Sequence, residues 1–293
     1  MLVHQNLEPQ HPKRVVIIGA RGFLGRAMHS YLEGLGVNTL GLTSDDVDLC
    51  AGSAAETLAG ILRPDDAVVM MAALTPDKGK DINTMIKNLV MADTVCEALI
   101  RRPCAHVVCI SSVAVYSMGT GRITEDSCAA SYDLYGTMHK TREMMFQNAI
   151  EIPLAILRPT LVYGAEDTHN SYGANRFRRV AASEGSIIIG GNGEEKRDHI
   201  YVGDVAKLVG LTLFHRSRGV LNVATGRAVT FHDLAHLVAD QFEGDVDVVC
   251  SDRTSPITHR AFDVTHTMKA FPKFVFTSLE QGIARVHREV LEP

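Results

Sequence analysis

The stretch YGTMHK, residues 135 to 140, places a phenol, Tyr135, four residues ahead of an imidazole, His139. Residues at i and i+4 share a helix face, so two groups able to handle a proton would lie side by side. A lysine at that spacing would make a familiar proton-transfer pair. The nearby lysine, Lys140, comes one step late and lies about 140° round a helix from Tyr135 at ~100° per residue. A free phenol has a pKa near ~10, so it must be acidified before it can take a proton at neutral pH. Ser112, in ISSVAVY (110–116), ends an apolar run, and its hydroxyl can donate to a substrate oxygen or to the phenol. Further upstream GARGFLG spaces Gly19, Gly22 and Gly25 as G-x-x-G-x-x-G, directly after the run RVVII. Small residues there let the backbone approach a pyrophosphate, and the free N–H groups of the following helix bind that anion.

These groups need rigid elements beneath them. Arg14 to Ile18 is a continuous β-branched run, as expected of a strand buried on both faces, and similar runs follow at 38–42, 67–71, 106–110 and 154–157. Helical patterns at 22–34, 53–62, 83–100 and 131–150 alternate with them. This order predicts an α/β fold, a parallel sheet covered by helices on both faces. After Pro159 the rhythm changes. Loops rich in Gly and Asn separate helical patterns near 174–183, 203–214, 230–240 and 278–290 from short apolar runs at 186–189, 220–223 and 245–249. They predict a smaller carboxyl-terminal α/β lobe with excursions back to the main sheet. The boundaries read as a loosely ordered tail over 1–13, a dinucleotide-binding domain over 14–164 and mainly a substrate lobe over 165–293.

Composition narrows the classes of partner. A chain of 293 residues with 46% hydrophobic and 22% charged residues is that of an ordinary globular protein. Its net charge of −5 gives no reason to expect nucleic acid or an anionic membrane. No apolar run approaches the ~20 residues needed to span a bilayer. The start, MLVHQNLEPQHPKR, lacks the apolar centre of a signal peptide. The six cysteines are scattered without a C-x-x-C pair, so neither a disulfide framework nor a zinc site is expected. The expected location is the cytoplasm.

The glycine spacing resembles the short-chain dehydrogenase/reductase superfamily, specifically its extended branch, the nucleotide-sugar-modifying NAD-dependent epimerase/dehydratase family. The resemblance runs from about residue 14 to 290. MMAALT (70–75), with Ala72 and Ala73, is similar to the family segment beside the cofactor, and KNLVMADTV (87–95) to its asparagine-bearing helix, with Asn88 in the Asn position. LRPTLVYG (157–164) and KRDHIYVGDVAKLV (196–209) resemble later signatures. The resemblance implies a doubly wound Rossmann sheet. It implies Tyr135 as acid/base, Ser112 as the hydroxyl that orients substrate, and cofactor contacts from Gly19, Arg21, Gly22, Phe23, Leu24, Gly25, Ala72, Ala73 and Asn88. Arg197 would hold the substrate's diphosphate, and Asn175 its diphosphate or sugar; Arg178 and Arg260 are weaker anion-binding candidates that read equally as surface charges, and His169 and His199 read as loop or sheet residues. Gly136 and Glu143 keep the pattern Y-G-x-x-K-x-x-x-E in register, so the family lysine is replaced by His139. The acid pair that follows the catalytic threonine in 4,6-dehydratases is here Val113 and Ala114, which argues against dehydration.

The end of the second strand bears on the choice of cofactor. An acidic residue there would favour NAD(H). The sequence gives Thr43 and Ser44, with Asp45 and Asp46 only afterwards, while Arg21 can reach a 2′-phosphate as a bidentate donor. NADP(H) is favoured, with NAD(H) the alternative. The implied reaction is hydride transfer at a ring carbon, C4, of a nucleotide-activated sugar, as epimerase or keto-sugar reductase. The alternative is a cofactor-binding sensor or regulator impaired by His139. The resemblance also implies a homodimer through the paired helices 83–100 and 131–150, whose apolar positions at helical spacing, such as Leu89, Val90, Ala92, Val95, Met144, Met145 and Ala149, read either as that interface or as core facing the sheet.

Overall fold

Strands β1 (Arg14–Ile18), β2 (Thr39–Leu42), β3 (Asp66–Met70) and β4 (His106–Ile110) alternate with helices α1 (Phe23–Gly34), α2 (Ala54–Ile61) and α3 (Ile82–Arg101). The computed structural model describes residues 1–117 and 121–291. A short edge strand β5 (Arg122–Ile123) precedes α4 (Leu134–Ala149) and β6 (Leu154–Pro159). Then come β7 (Leu161–Tyr163), α5 (Ala174–Glu184), β8 (Ser186–Gly190), β9 (Lys196–Tyr201), α6 (Val202–Phe214) and β10 (Gly219–Val223). The chain closes with β11 (Ala228–Thr230), α7 (Phe231–Ala239), β12 (Asp247–Ser251), β13 (Ala261–Phe262), α8 (Thr265–Ala270) and α9 (Leu279–Leu291).

Six strands form one parallel sheet in the order β10-β6-β4-β3-β1-β2. The chain leaves β1 for β2 on one side and then crosses to β3 on the other. The crevice at the carboxyl ends of β1 and β3 is therefore the switch point where ligands bind in such sheets. The β-branched runs are buried on both faces because helices cover both. One face packs Val15, Ile17 and Val69 against α1 and α6, and the other packs Val16, Ile18 and Val68 against α2, α3 and α4. A second core around Phe177, Ile189, Phe231 and Leu234 joins α5, α7, β8 and β9 into the smaller lobe.

The run at 220–223 is one of the expected excursions to the main sheet, where it forms edge strand β10, parallel to β6. Two features were not visible in the sequence. The tail is docked rather than loose over its first residues. Val3 pairs with Arg218, Leu2 is buried, and the His4 ring bridges the Ser217 hydroxyl (2.7 Å) and the Ala270 carbonyl (2.8 Å). These partners lie some two hundred residues away in the chain, so no local pattern could reveal them. The strands β7, β9 and β11 form a three-stranded sheet beside the cleft, and β7 and β11, with three residues each, are too short to show periodicity. Among the described residues, no helix is long and apolar enough to cross a membrane and no cluster of metal-ligating side chains occurs. All six cysteines are free.

Candidate active site

The glycine loop is packed too closely for side chains. A Cβ on Gly19 would lie 2.7 Å from the Ala72 nitrogen, and one on Gly25 would lie 2.2 Å from the Gly19 carbonyl oxygen. Gly19 also has φ +94, a left-handed conformation that L side chains avoid. The helix that follows, α1, begins after Gly22 with no side-chain cap and no acidic residue in its first turn. Its leading N–H groups and the positive end of its dipole therefore face the crevice without a protein anion. These features fit the diphosphate of a dinucleotide cofactor.

From this loop a cleft of about 370 Å³ runs to the lobe, lined by Gly19, Gly22, Phe23, Leu24, Gly25, Ala73, Ser112, Tyr135, His139, Asn175, His199 and Arg260, among others. The reactive cluster is assembled by two close approaches. Ser112 follows β4, and its hydroxyl accepts the Ala114 N–H (3.1 Å), capping a single 3₁₀ turn at Val113–Val115. Helix α4 begins at the Asp133 cap, whose carboxylate accepts the Gly136 N–H at 2.7 Å, which puts Tyr135 in the first turn. Gly136 lets this helix end sit directly on the 3₁₀ turn, because a Cβ there would lie 2.1 Å from the Ala114 carbonyl oxygen. The Tyr135 phenol and the Ser112 hydroxyl thereby line the same part of the cleft, and the hydroxyl favours the ionised phenol.

Electrostatics at the cluster are dominated by burial. Burial pushes the Tyr135 phenol up to about 12, while the Arg142 guanidinium and the Ser112 hydroxyl pull it down. The His139 ring stands edge-on to the Tyr135 ring, 4.6 Å between centroids and 86° between planes. Burial first, and the Arg142 charge second, hold His139 well below the ordinary imidazole range, so it is neutral at pH 7. Both of its ring nitrogens are buried without a protein partner. A buried donor and acceptor facing a cleft are costly unless a ligand satisfies them, and a ribose hydroxyl pair suits them. Lys140 points elsewhere, to Glu143 at 3.5 Å.

Glu143, a register marker in the sequence, is the foundation of the site. It accepts from Ser111 (2.7 Å) and from both Arg158 Nε (2.7 Å) and Nη2 (2.6 Å), while Arg158 Nη1 donates to the Tyr116 hydroxyl at 2.7 Å. This buried network ties α4 to the ends of β4 and β6.

The other expected site residues divide into three groups. Asn175 lines the cleft, and its amide bonds the Gly164 N–H (3.2 Å) and the Val162 carbonyl (3.4 Å), fixing the lobe's entry. Asn88 and Ala72 act on the backbone around the crevice. The Asn88 amide accepts from the Leu74 N–H (2.8 Å) and donates to the Leu74 carbonyl (3.0 Å), clamping the loop after β3. Arg21 and Thr43 line a shallow pocket at the end of β2, where Arg21 is paired with Asp45 and the Thr43 hydroxyl donates to Asp46 at 2.8 Å. Ser44 is exposed in the same turn.

Arg197 lies outside the cleft lining. Its guanidinium bonds the Thr258 carbonyl (2.6 Å) and hydroxyl (2.8 Å) and covers the Phe231 ring, while Asp198 instead accepts from Thr225. The cleft's guanidinium is Arg260, set by bonds to the carbonyls of Val113 (3.2 Å) and Tyr116 (3.3 Å). In the sequence Arg260 is a weaker anion-binding candidate, since it reads equally as a surface charge. His199, which reads in the sequence as a loop or sheet residue, does lie in β9 but is also a buried cleft residue with no protein partner on either nitrogen, and nothing in the sequence marks Arg142.

The family model described as "NAD dependent epimerase/dehydratase family" matches residues 15–224. Solved structures with the same fold include the UDP-N-acetylglucosamine 4-epimerase of Methanobrevibacter ruminantium in complex with UDP-N-acetylmuramic acid. It is 23% identical over 96% of this chain and 99% of its own, with a TM-score of 0.83. The GDP-L-fucose synthetase of Naegleria fowleri bound to NADP is 17% identical, covering 100% and 98%, with a TM-score of 0.85. The UDP-glucose 4-epimerase of Thermus thermophilus in complex with NAD is 17% identical, covering 95% and 99%, with a TM-score of 0.80.

Proposed function

This chain belongs to the NAD-dependent epimerase/dehydratase family, and we propose that within it the protein is an NADP(H)-dependent reductase of a nucleotide-activated keto-sugar, acting at C4. The observation that carries this reading is the cluster of Ser112, Tyr135 and His139 in a cleft that starts at the glycine loop and ends at Asn175, His199 and Arg260. A nicotinamide cofactor held at the glycine loop would supply the hydride when bound. Tyr135 donates its phenolic proton to the carbonyl oxygen, which becomes the hydroxyl, and Ser112 donates to the same oxygen and fixes its direction. Neutral His139, whose ring nitrogens have no protein partner, would offer a ring N–H to the ribose of a bound nicotinamide cofactor. Arg260 supplies a fixed cation for the substrate's diphosphate.

Burial keeps the phenol protonated at neutral pH, so the proton that reduction needs is in place, whereas the oxidation that opens an epimerase cycle needs the phenol to lose it first. NADP(H) is favoured because Arg21 can exchange the exposed Asp45 carboxylate for a 2′-phosphate. Epimerisation with NAD(H) is the second reading, and Asp45 at the end of β2 favours it. Val113 and Ala114 leave no acid or base for eliminating water, so 4,6-dehydration is not expected. Exposed Ile82, Ile86 and Val90 at four-residue spacing on α3, with Met144 exposed on the packed α4, support a homodimer. Light scattering showing only monomer at micromolar concentration would remove that part.

The reading is tested by offering keto-nucleotide sugars with NADPH to the wild type and to Tyr135→Phe. Turnover by the wild type, lost in the variant, is expected. Full activity in Tyr135→Phe would overturn the assignment, and no binding of any nucleotide sugar in thermal shift would favour a cofactor-dependent regulator.

A further inference from the structure

We propose that Arg142 supplies the fixed positive charge beside Tyr135 that His139 cannot, dividing between two side chains the work a single lysine would do. The inference rests on the hydride-transfer reading above. Arg142 is seven residues after Tyr135 and three after His139. At ~100° per residue it returns to within about 20° of Tyr135's direction, so all three share one face of α4. It is among the largest fully buried side chains, with 1% exposure. Its Nη2 donates to the Ala72 carbonyl at 2.8 Å, and its Nη1 lies 4.0 Å from the Met138 sulfur. Its Nε is buried without a partner.

Arg142 has no carboxylate partner among the described residues. The adjacent Glu143 is committed to Arg158, Ser111 and Lys140. An uncompensated charge in the interior is costly, and arginine cannot escape the cost by releasing its proton. Burial does lower its pKa, and the neighbours that favour its charge are Cys109 of β4, Cys96 of α3 and Tyr135 of α4 itself. Burial holds the two thiols at about 11 and about 12, so they stay protonated at neutral pH. Tyr135 is then the acid on which the charge acts. Asp133 at the start of α4 and Asp77 in the loop after β3 oppose it, and Ser112 after β4 assists it. Lys78 lines the same cleft, and His139 is neutral.

The competing account makes Arg142 only a clamp for the Ala72 carbonyl. Arg142→Gln separates the two, because it keeps an amide donor for that carbonyl and removes the charge. Arg142→Met is the second neutral variant, should Gln not fold. A fluorinated tyrosine at position 135, followed by fluorine NMR across pH, reports ionisation without substrate or cofactor. The neutral variants are expected to raise its midpoint by about one pH unit. Oxidation of an alcohol substrate near neutral pH should fall about tenfold, with KM changed less than about twofold. Arg142→Lys should keep the wild-type midpoint, and adding His139→Lys to Arg142→Gln should restore it. His139→Lys alone should gain little, since Arg142 would suppress a second buried cation. An unmoved midpoint in both neutral variants, or one that His139→Lys does not restore, overturns the proposal even in an active enzyme. A shifted midpoint in a protein that reduces no nucleotide sugar would keep the inference and remove the function.

Discussion

Replacing Gly136 by alanine tests whether the contact between α4 and the 3₁₀ turn brings Tyr135 to Ser112. The new Cβ would lie 2.1 Å from both the Ala114 carbonyl oxygen and the Ser131 hydroxyl. The serine can rotate away, but the carbonyl is backbone, fixed by the turn at Val113–Val115 that Ser112 caps. To reach an ordinary carbon–oxygen contact the helix end must withdraw by about 1 Å. The Asp133 cap keeps the first turn intact, so the helix moves as a unit and carries Tyr135 with it. Overpacking of this kind costs about 1–3 kcal/mol of stability. A misplacement of ~1 Å at the reacting groups costs on the order of 10²-fold in rate. The glycine loop lies off this helix but His139 moves with it, so NADPH affinity, measured by fluorescence titration, should fall by no more than about tenfold, less than the rate. Steady-state reduction should show kcat lowered about a hundredfold. A folded Gly136→Ala protein with kcat within a factor of about three of wild type would refute the claim that this contact sets the geometry.

The Arg21–Asp45 pair is exposed on both sides and contributes little to stability, so Arg21→Met should leave folding unchanged. It should weaken NADP⁺ binding about 10- to 100-fold with NAD⁺ little affected, and equal losses for both by calorimetry would count against a 2′-phosphate role. Stability should fall as pH drops below about 6.5, because burial holds folded His106 and His199 at about 4 and His139 well below the ordinary imidazole range. The unfolded chain then binds more protons than the folded one, and the loss continues down to about pH 4. Asp198, raised by burial to about 6, works in the opposite direction as it protonates. His199→Gln should reduce the loss between pH 7 and pH 5.5 by about 1 kcal/mol in urea titrations, and an unchanged slope would mean that His199 titrates normally.

How much of this was legible depended on whether a residue's role is set by its neighbours in sequence or by distant packing. RVVII followed by GARGFLG fixes strand, turn and helix locally, and the structure keeps that order. The helix read at 131–150 begins at Leu134 because Asp133 caps it, a boundary shift within ordinary fraying. The run at 220–223 was visible as a strand, but its place beside β6 is a pairing across more than sixty residues. Arg197 and Arg260 both read as anion-binding candidates, and only the fold reveals that Thr258 claims the first while the second faces the cleft. Arg142 is the least legible. Between Lys140 and Glu143 it looks like one more charge on a solvated helix, and its burial follows from α3 and β4 closing over that face.

The central claim is hydride transfer from a bound nicotinamide to a ring carbon of a nucleotide sugar, with Tyr135 supplying the proton. The most direct measurement uses NADPH deuterated at C4 of the nicotinamide, with mass spectrometry of the sugar product. The account predicts one deuterium per product molecule, placed on the sugar ring at C4, and no labelled product from Tyr135→Phe. Turnover that leaves the sugar ring free of deuterium, or labelled product formed equally well by Tyr135→Phe, would contradict it.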